Sequence, residues 1–487
     1  MIPTTRPKLQ FLSPEFVAKI VEEGCLLLEQ QGIFVENDEA LDLLAAAGMK
    51  IDASAARAHL TRKLIDDCLA TTPEIIKMYD RSGRKEYIVG GDEIHFDPGS
   101  AGVSVLDHAT GAERRAVTGD LVRLYDLVET LPNLDFQSTA LVSSEVPLPV
   151  ADIWRLYLGL LRSSKPFVTG LFRVESFKPM RDMLVAIRGG AAELAAKPLA
   201  IFDACPSPPL KWSRLTTQSL IDSARAGIPS ELISMGLTGA TSLVTLAGTL
   251  VQHVAESLAG VVICQLAKKG APVIFGGSPA SFDMRKGTTP MGAMETMMID
   301  GAYAQIAKTL RLPTHAYMAL SDAKVNDAQA GLETGIGAVI AALAGINVIS
   351  GPGMLDFETS QSLEKLVIDD EICGMAKRLV RGIEQRDEVL ALDKFEAILA
   401  GAQFLSLPHT RQWYRKEHSF PGIIDRDTYE AWLALGGKTM DERAAEEVAK
   451  RLGAGPSGLL EPEKAGALKK IMESYASASG VASLPEI

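Results

Sequence analysis

One unit repeats through most of this sequence: a short apolar run rich in β-forming residues, then a turn, then a helical stretch. The runs start about 30 to 40 residues apart, which is the length of one strand–helix unit. There are eight of them, at residues 102–106, 136–142, 167–172, 199–204, 231–237, 272–277, 313–320 and 346–350. Short apolar runs that alternate with helices predict a parallel sheet buried on both faces, and eight units predict a closed (β/α)8 TIM-type barrel.

A barrel also indicates where its chemistry lies, because barrel active sites are built at the carboxyl ends of the strands and in the loops that follow. Six residues at or just beyond the ends of the predicted strands are therefore candidate functional positions: Cys205, Gly236, Gly276, Ser278, Asp322 and Gly351.

Composition excludes several classes of protein. The formal net charge of −12 argues against nucleic acid or an anionic membrane as the main partner. The five cysteines are scattered, with no CxxC and no Cys/His pair at metal spacing, so we expect neither a disulfide framework nor a bound metal. Residues 1–10 lack the apolar core of a signal peptide, and no run approaches membrane-spanning length. These observations favour a cytoplasmic protein.

Helical patterns flank the barrel on both sides. Ser13, Pro14 and Glu15 predict a helix start, and residues 87–97 predict a hairpin arm with its turn at Gly90, Gly91 and Asp92. We therefore predict an N-terminal helical region with this arm at 1–95, the barrel at 96–360, and a C-terminal helical region packed on the barrel at 361–487. The largely apolar stretch 246–269 and the charge-poor stretches 293–310 and 328–343 predict buried helices and favour a homo-oligomer.

The stretch 328–343 contains a Gly335-Ile336-Gly337 triplet that resembles part of a dinucleotide-binding loop. It lies inside a helical pattern, does not directly follow a strand, and lacks the third glycine. We interpret it as part of a helix in which Gly331, Gly335 and Ala338 have the spacing of a close-packed face.

Three segments concentrate chemically capable side chains. Residues 315–333 follow the seventh run, and there Asp322 either neutralises a cationic substrate or, like Asn326, caps the next helix. Residues 275–287 end a strand with two glycines, and Asp283 and Arg285 form either a structural pair or a ligand contact. We interpret residues 409–417 as a clamp that holds the C-terminal helices, or a neighbouring subunit, on the barrel. A docking surface is the alternative. The sequence has no nucleophile elbow, phosphate loop or HExxH motif.

Four phrases carry a resemblance to a known family: residues 253–260, 270–277, 321–331 and 409–417. At these positions the chain resembles the trimethylamine methyltransferase superfamily, in the branch without pyrrolysine that includes glycine betaine methyltransferase. The resemblance covers almost the whole chain. In trimethylamine-specific members a pyrrolysine lies near residues 321–331, whereas this chain has ordinary residues throughout.

The resemblance implies a barrel enzyme that moves a methyl group from a methylated amine to the cobalt(I) corrinoid of a small, separate corrinoid protein. It implies that no cofactor is tightly bound and that the corrinoid (cobalamin) is presented by the partner, at a mouth formed by Gly276, Gly277, Ser278, Gly351 and Gly353. The missing pyrrolysine argues against a tertiary amine. A quaternary ammonium needs no activation, because it already carries a fixed charge and leaves as a neutral amine. A betaine is therefore the expected kind of substrate.

A quaternary ammonium donates no hydrogen bond, so aromatic faces and carboxylates must recognise it. We predict Asp322 and Gln329 as catalytic residues, and Tyr317, Phe357, Glu333, Glu295 and His315 as substrate-binding residues. Asp322→Asn is then expected to weaken substrate use more than folding. Two alternatives stay open: a non-catalytic binder of a quaternary amine or of the corrinoid protein, and an unrelated barrel lyase or isomerase.

Overall fold

Eight parallel strands form a closed barrel in the computed structural model, which describes residues 3–52 and 54–486. The strands are β1 (His95–Asp97), β2 (Gln137–Ser138), β3 (Phe167–Thr169), β4 (Ala200–Ala204), β5 (Ser230–Ser234), β6 (Val273–Gly277), β7 (His315–Tyr317) and β8 (Val348–Ser350). Each strand pairs in parallel with the next, and β8 returns to β1 with Ser350 opposite Asp97. Single bridges, Phe96 to Leu134 and Phe275 to Thr314, join β1 to the β2 segment and β6 to the β7 segment. The predicted barrel is confirmed.

One outer helix follows each strand: α1 (Thr118–Thr130), α2 (Leu148–Arg162), α3 (Phe177–Arg188), α4 (Arg214–Ala226), α5 (Leu246–Ala267), α6 (Met294–Thr309), α7 (Ala328–Ala344) and α8 (Leu363–Val380). A short helix, Ala191–Ala196, follows α3. Side-chain caps begin several of these helices. Ser213 accepts the Thr216 N–H at α4, and Asp327 accepts the N–H groups of Gln329 and Ala330 at α7. The Gly335-Ile336-Gly337 triplet lies within α7, as predicted from its helical pattern.

The prediction for the first wall strand is wrong. Residues Ser104–Asp107 form a strand outside the wall, in a four-stranded sheet with Ala112–Arg115, Ser360–Gln361 and Met354–Leu355. The first wall strand is β1, inside the segment predicted as a hairpin arm. β1 is only three residues long and has a polar residue at each end, His95 and Asp97. It therefore lacks the continuous apolar run by which the other seven strands were found.

A hairpin closes the amino end of the barrel. Its strands are Ile76–Tyr79 and Glu86–Val89, so the turn lies earlier than the predicted Gly90–Asp92. Four of its side chains pack against the lowest layer of the barrel interior; this cluster consists of Ile76, Met78, Tyr87 and Val89 with Phe136, Val168, Ile201, Ile274 and Val348. Since this end is filled with apolar side chains, the carboxyl ends of the strands form the open end.

The N-terminal region packs on the outside of α5. It contains helices Pro14–Gln30, Asp38–Ala46 and Arg62–Leu69, and strands Ile33–Val35, Lys50–Asp52 and Arg57–His59, which join Lys211–Trp212 in a small sheet that was not predicted. A further two-stranded pair, Leu237–Thr238 with Ala280–Ser281, lies beyond β5 and β6. The first of the helices starts as predicted, with Ser13 accepting the Phe16 N–H.

The C-terminal region contains helices Leu392–Leu399, Pro408–Glu417, Tyr429–Ala434, Met440–Gly453 and Pro462–Ala478. Met440–Gly453 packs on α8 and α1, and Pro462–Ala478 packs on α2 and α3. One helix among the described residues, α5, is long and apolar enough to cross a membrane, although no such run was expected from the sequence. Most of α5 is buried between the barrel and the N-terminal helices, and it carries the buried polar residues His253 and Glu256, as a core helix does.

Candidate active site inside the barrel

The middle layer of the barrel interior is polar, although barrel interiors are usually filled by branched apolar side chains. The strands alternate inward and outward residues, so the layer above the plugged end comes from the carboxyl halves of the strands. It contains Asp97, Ser138, Asp203, Glu231, His315 and Ser350. Three carboxyl groups in such a layer are too costly to bury for packing alone and indicate a functional site.

A hydrogen-bonded chain connects three of these residues across β1, β8 and β7. The Ser350 hydroxyl donates to Oδ2 of Asp97 at 2.7 Å, and His315 Nε2 lies 3.0 Å from Ser350 Oγ. Because Ser350 gives its one hydrogen to Asp97, it accepts from the Nε2–H of His315. Burial lowers the pKa of His315 to about 3, so the imidazole is neutral. The chain holds Asp97 and His315 in place without adding a positive charge.

Glu231 and Asp203 form an acidic pair on the neighbouring strands β5 and β4. Glu231 is fully buried, and neither of its oxygens accepts a hydrogen bond from an N–H or O–H group of the described residues. Its Oε1 lies 3.7 Å from His315 Nε2. Asp203 keeps some exposed surface, so it lies nearer the open end. Among the described residues, no Lys or Arg forms an ion pair with either carboxyl group.

Burial dominates the acidity of this layer. It raises the pKa of Asp97 to about 7 and that of Asp203 to about 6. Burial also raises the pKa of Glu231 well above its ordinary value, and the nearby Asp203 raises it further. Without a cation, these carboxyl groups therefore hold protons at a pH where surface carboxylates have lost them.

Above the acidic layer the lining becomes apolar. Tyr317 ends β7 and packs among Ile233, Ala280, Met291, Leu320 and Met354. Its ring meets the His315 ring edge-on, with the centroids 4.8 Å apart. The predicted residues Tyr317 and His315 thus lie together at the inner site, where an aromatic ring stands beside buried carboxyl groups.

A strained loop brings another acid to this region. Asp356, Phe357 and Glu358 have φ values of 48°, 56° and 68°, so three consecutive non-glycine residues adopt the left-handed conformation. Burial, with a smaller contribution from Asp322, raises the pKa of Glu358 to about 8. Oε1 of Glu358 has no hydrogen-bond partner among the described residues. This backbone is costly, and it holds an unpaired carboxyl group near the open end.

Asp322 lies in a second acidic group outside the inner layer. Its Oδ1 and Oδ2 accept the N–H groups of Met291 and Gly292, each at 2.9 Å. Its own N–H and the Ser321 hydroxyl donate to Oε2 of Glu333, at 2.8 and 2.6 Å. Asp322 is therefore not the cap of α7, since Asp327 has that role. The pKa of Asp322 is raised to about 6, mainly by burial.

The remaining predicted substrate and catalytic residues lie further out. Gln329 is exposed and donates to Oε1 of Glu333 at 2.9 Å, and Glu295 is exposed in the first turn of α6. The ring of Phe357 is covered by the Lys324 ammonium, which lies 3.8 Å from its centroid. The structure thus brings Asp322, Gln329 and Glu333 together through hydrogen bonds that do not include His315 or Tyr317.

The glycines of the predicted corrinoid-binding mouth have no free space where a side chain would stand, because other parts of the chain occupy it. A Cβ on Gly276 would lie 3.1 Å from His315, and one on Gly277 would lie 2.3 Å from His253. At Gly351 and Gly353 the nearest atoms belong to Leu320 and Gln361, at 2.8 and 2.3 Å. Ser278, the remaining residue of the predicted mouth, is buried. Close packing at the strand ends therefore requires glycine at these positions, and contact of this mouth with a corrinoid stays a prediction.

The other two segments have structural contacts. Asp283 forms an ion pair with Arg285, two residues later in the same loop. Residues Pro408–Glu417 form a helix that is tied to α8 through Arg378, which donates to the Glu417 carbonyl. Among the described residues, no group of three His, Cys, Asp or Glu side chains is arranged to hold a metal ion.

Asp97, Asp203 and Glu231 were not among the residues predicted from the sequence. A usable signal existed for two of them: Asp203 and Glu231 each interrupt an apolar strand that is buried on both faces. A carboxylate inside such a run is itself a functional signal. Asp97 had no comparable signal, since its strand was not recognised.

Comparison with known proteins agrees with this architecture. A family model described as trimethylamine methyltransferase (MTTB) matches residues 1–477. The chain is 32% identical over 458 residues to trimethylamine methyltransferase MttB of Desulfitobacterium hafniense strain DSM 10664 / DCB-2, covering 94% of this chain and 92% of that protein. It is 30% identical over 428 residues to the glycine betaine methyltransferase of D. hafniense strain Y51, covering 88% and 89%.

Among solved structures, the monomethylamine methyltransferase MtmB of Methanosarcina barkeri matches with a TM-score of 0.51 and 12% identity, over 92% of this chain and 96% of that one. At that identity the likeness concerns the fold alone. The resemblance found in the sequence is confirmed by the family match and the curated relatives. The chain belongs to the trimethylamine methyltransferase (MTTB) family of methyltransferases.

Proposed function

We propose that this protein moves a methyl group from a quaternary ammonium compound of the betaine type to the reduced corrinoid of a separate corrinoid protein. One observation carries the substrate half of this proposal: three carboxyl groups, Asp97, Asp203 and Glu231, lie in the barrel interior at the open end, and no Lys or Arg nitrogen lies within 4 Å of them among the described residues. Such a site has no positive charge of its own beside the carboxyl groups, and a cationic ligand would supply one.

The protein's own groups bind and orient the donor. Asp203 and Glu231 attract the ammonium, whose arrival favours their ionised forms, and the Tyr317 face contacts its methyl groups. His315, whose Nε2 lies 3.7 Å from Glu231 Oε1, stays neutral and so brings no positive charge of its own into the acidic layer. The apolar lining above, with Met291, Leu320 and Met354, keeps water from the methyl group that is to be transferred. This arrangement aligns one methyl group with the open end, which is what an in-line transfer needs.

The partner belongs at the open end because the other end is plugged. Exposed apolar side chains stand on the loops around this mouth; they are Leu148, Phe172, Met235, Leu243, Val244, Met284 and Val325. Their position on loops after several different strands fits a docking face for another protein. The corrinoid of that partner supplies the reduced cobalt that accepts the methyl group. A neutral amine leaves the donor, so no acid is required at the leaving nitrogen.

The test is spectroscopic. Purified protein is mixed with a reduced corrinoid protein and with each member of a panel: glycine betaine, other N-methylated zwitterions, tetramethylammonium and trimethylamine. We expect the visible spectrum of the corrinoid to change with quaternary compounds and not with trimethylamine. Binding of a quaternary amine without any spectral change would favour the alternative of a non-catalytic binder. No binding and no transfer with any member would refute the proposal.

A further inference from the structure

Arg155, on α2, is a buried cation that forms no ion pair, although the carboxylates of Asp152 and Asp203 act on it from a distance. Its side chain is 1% exposed, and no carboxylate oxygen of the described residues lies within 4 Å of its guanidinium nitrogens. Its Nε has no hydrogen-bond partner. A buried charge left in this state is costly, and pairing with an anion removes most of that cost.

The guanidinium lies buried beneath the mouth of the barrel, at the carboxyl ends of β2 and β3. Its Nη1 donates to the carbonyl of Thr139 at 2.7 Å and its Nη2 makes a long contact of 3.5 Å with the carbonyl of Gly170. These residues directly follow β2 and β3. The Phe172 ring covers the group from the rim, 4.5 Å from Cζ.

Arg155 also lies close to the acidic pair. A Cβ placed on Gly170 would be 3.0 Å from Oδ2 of Asp203, so Gly170 separates the guanidinium from this carboxyl group. The interaction of the two opposite charges is felt at both groups, although they do not form an ion pair. The mouth therefore has a negative pole at Asp203 and Glu231 and a positive pole at Arg155.

We propose that Arg155 is the anion-binding pole of the substrate site and selects a zwitterion: a quaternary ammonium whose other end carries a carboxylate. This inference rests on the proposed function and names the part of the substrate that the acidic layer cannot recognise. The planar guanidinium binds a carboxylate through two parallel hydrogen bonds, and a cation without a carboxylate leaves it unpaired. The rival role is structural: through its two carbonyl contacts Arg155 would only tie α2 to the ends of β2 and β3.

Titration calorimetry on the full chain separates the two roles without requiring methyl transfer. The probes are glycine betaine and its methyl ester, which keeps the ammonium and loses the negative charge. We expect the parent protein to bind glycine betaine at least about tenfold more tightly than the ester. Equal affinities, or a preference for the ester, would overturn the inference, and this comparison needs no variant to fold.

The variants then locate the effect. In Arg155→Gln the preference for the zwitterion should fall below about threefold while affinity for the ester changes little, and Arg155→Lys should keep part of it. Arg162→Gln is the matched control, because Arg162 lies on the same helix and pairs with Asp126 away from the mouth. If Arg155→Gln weakens both ligands in the same proportion, Arg155 only positions α2.

The two proposals fail in different ways. A parent protein that methylates the corrinoid but does not prefer the zwitterion refutes the role of Arg155 alone. A protein that prefers the zwitterion but transfers no methyl group refutes the proposed reaction and leaves the anion-binding pole standing.

Discussion

At the scale of single residues, the acidic layer makes ligand binding depend on pH. Asp97 and Asp203 have pKa values of about 7 and 6, and that of Glu231 is raised well above its ordinary value. A bound ammonium must therefore displace protons from these groups when the solution is acidic. Among the described residues, Arg155 is the cation whose charge acts on Asp203, and His315 is neutral.

We predict that affinity for a quaternary amine rises from pH 5.5 to pH 8, by up to about tenfold per pH unit for each proton displaced. The same linkage affects folding. Because the pKa values of these carboxyl groups are higher in the folded protein than in the unfolded chain, their contribution to stability is present at low pH and is lost as pH rises through about 6 to 7. A bound ammonium offsets this loss of stability, because its positive charge favours the ionised carboxyl groups. The ligand should therefore raise Tm more at pH 8 than at pH 5.5, as measured by calorimetry.

Two variants show which acid is responsible. Glu231→Gln should flatten the pH dependence and weaken binding while it preserves or raises Tm, because it removes one of two neighbouring buried acids. Asp322→Asn should keep the pH dependence and lower stability by about 1–3 kcal/mol, because an amide can no longer accept both the Met291 and Gly292 N–H groups. The reverse pattern would return Asp322 to the role predicted from the sequence.

At the scale of elements, α7 shows how tightly the barrel holds β7. A Cβ on Gly337 would lie 1.9 Å from the carbonyl oxygen of Met318, just after the strand that carries His315 and Tyr317. Gly331 and Gly335, which the sequence suggested as close-packing positions, have no atom within 4 Å of such a Cβ. The glycine that allows the helix to approach the strand is therefore Gly337.

We predict opposite effects for alanine at two glycines of this helix. Gly337→Ala should destabilise the protein by about 1–3 kcal/mol, because the helix must move off β7, and should impair methyl transfer as well. Gly335→Ala should stabilise it by about 0.5–1 kcal/mol, because alanine favours the helix and meets nothing. Denaturant midpoints measure both. Equal midpoints for the two variants would show that α7 does not rest on β7 as described.

The elements also show how much of the fold could be predicted from sequence. Seven wall strands were found because each is an apolar run, and α7 because its pattern is helical. β1 could not be found by that signal, since the strand is three residues long and both of its end residues, His95 and Asp97, are polar. The candidate site was predicted only in part, because several of its residues lie far apart in the sequence. His315 and Tyr317 lie beside a conspicuous polar segment, whereas Asp203, Glu231 and Arg155 come together only when distant strands and α2 meet.

At the scale of the whole molecule, the segment 383–435 has many apolar side chains that the rest of the chain does not cover. The helices Leu392–Leu399, Pro408–Glu417 and Tyr429–Ala434 contain no buried residue. Between residues 383 and 435, thirteen apolar side chains are 45% to 91% exposed; they are Ile383, Val389, Leu390, Leu392, Phe395, Leu399, Phe404, Leu405, Tyr414, Phe420, Tyr429, Leu433 and Leu435. Together they leave on the order of 1,000 Å² of apolar surface in water, which exceeds what a monomer usually exposes.

We propose a second copy of the chain as the partner for this surface. The segment starts after α8 and is tied to it by Arg378 and Glu371, so it lies along the side of the barrel and away from the loops of the mouth where the methyl acceptor must dock. The exposed area is at least that of one side of a standard interface, about 800 Å². Two copies that use the same face would bury it on both at once.

We therefore infer self-association through residues 383–435 and predict that the protein sediments as a dimer or larger species, well above its monomer mass of 52.1 kDa. Glutamate at Leu392, Leu399 and Leu405 should shift it to the monomer, because each charge would be buried at the interface without a partner. These side chains are exposed in the single chain, so circular dichroism should be unchanged in the triple variant. Glutamate at Leu243 on the rim of the mouth is the control, which should leave the mass unchanged and weaken transfer to the corrinoid protein. A monomeric parent protein, or a triple variant that still associates, would assign the apolar segment to a different partner.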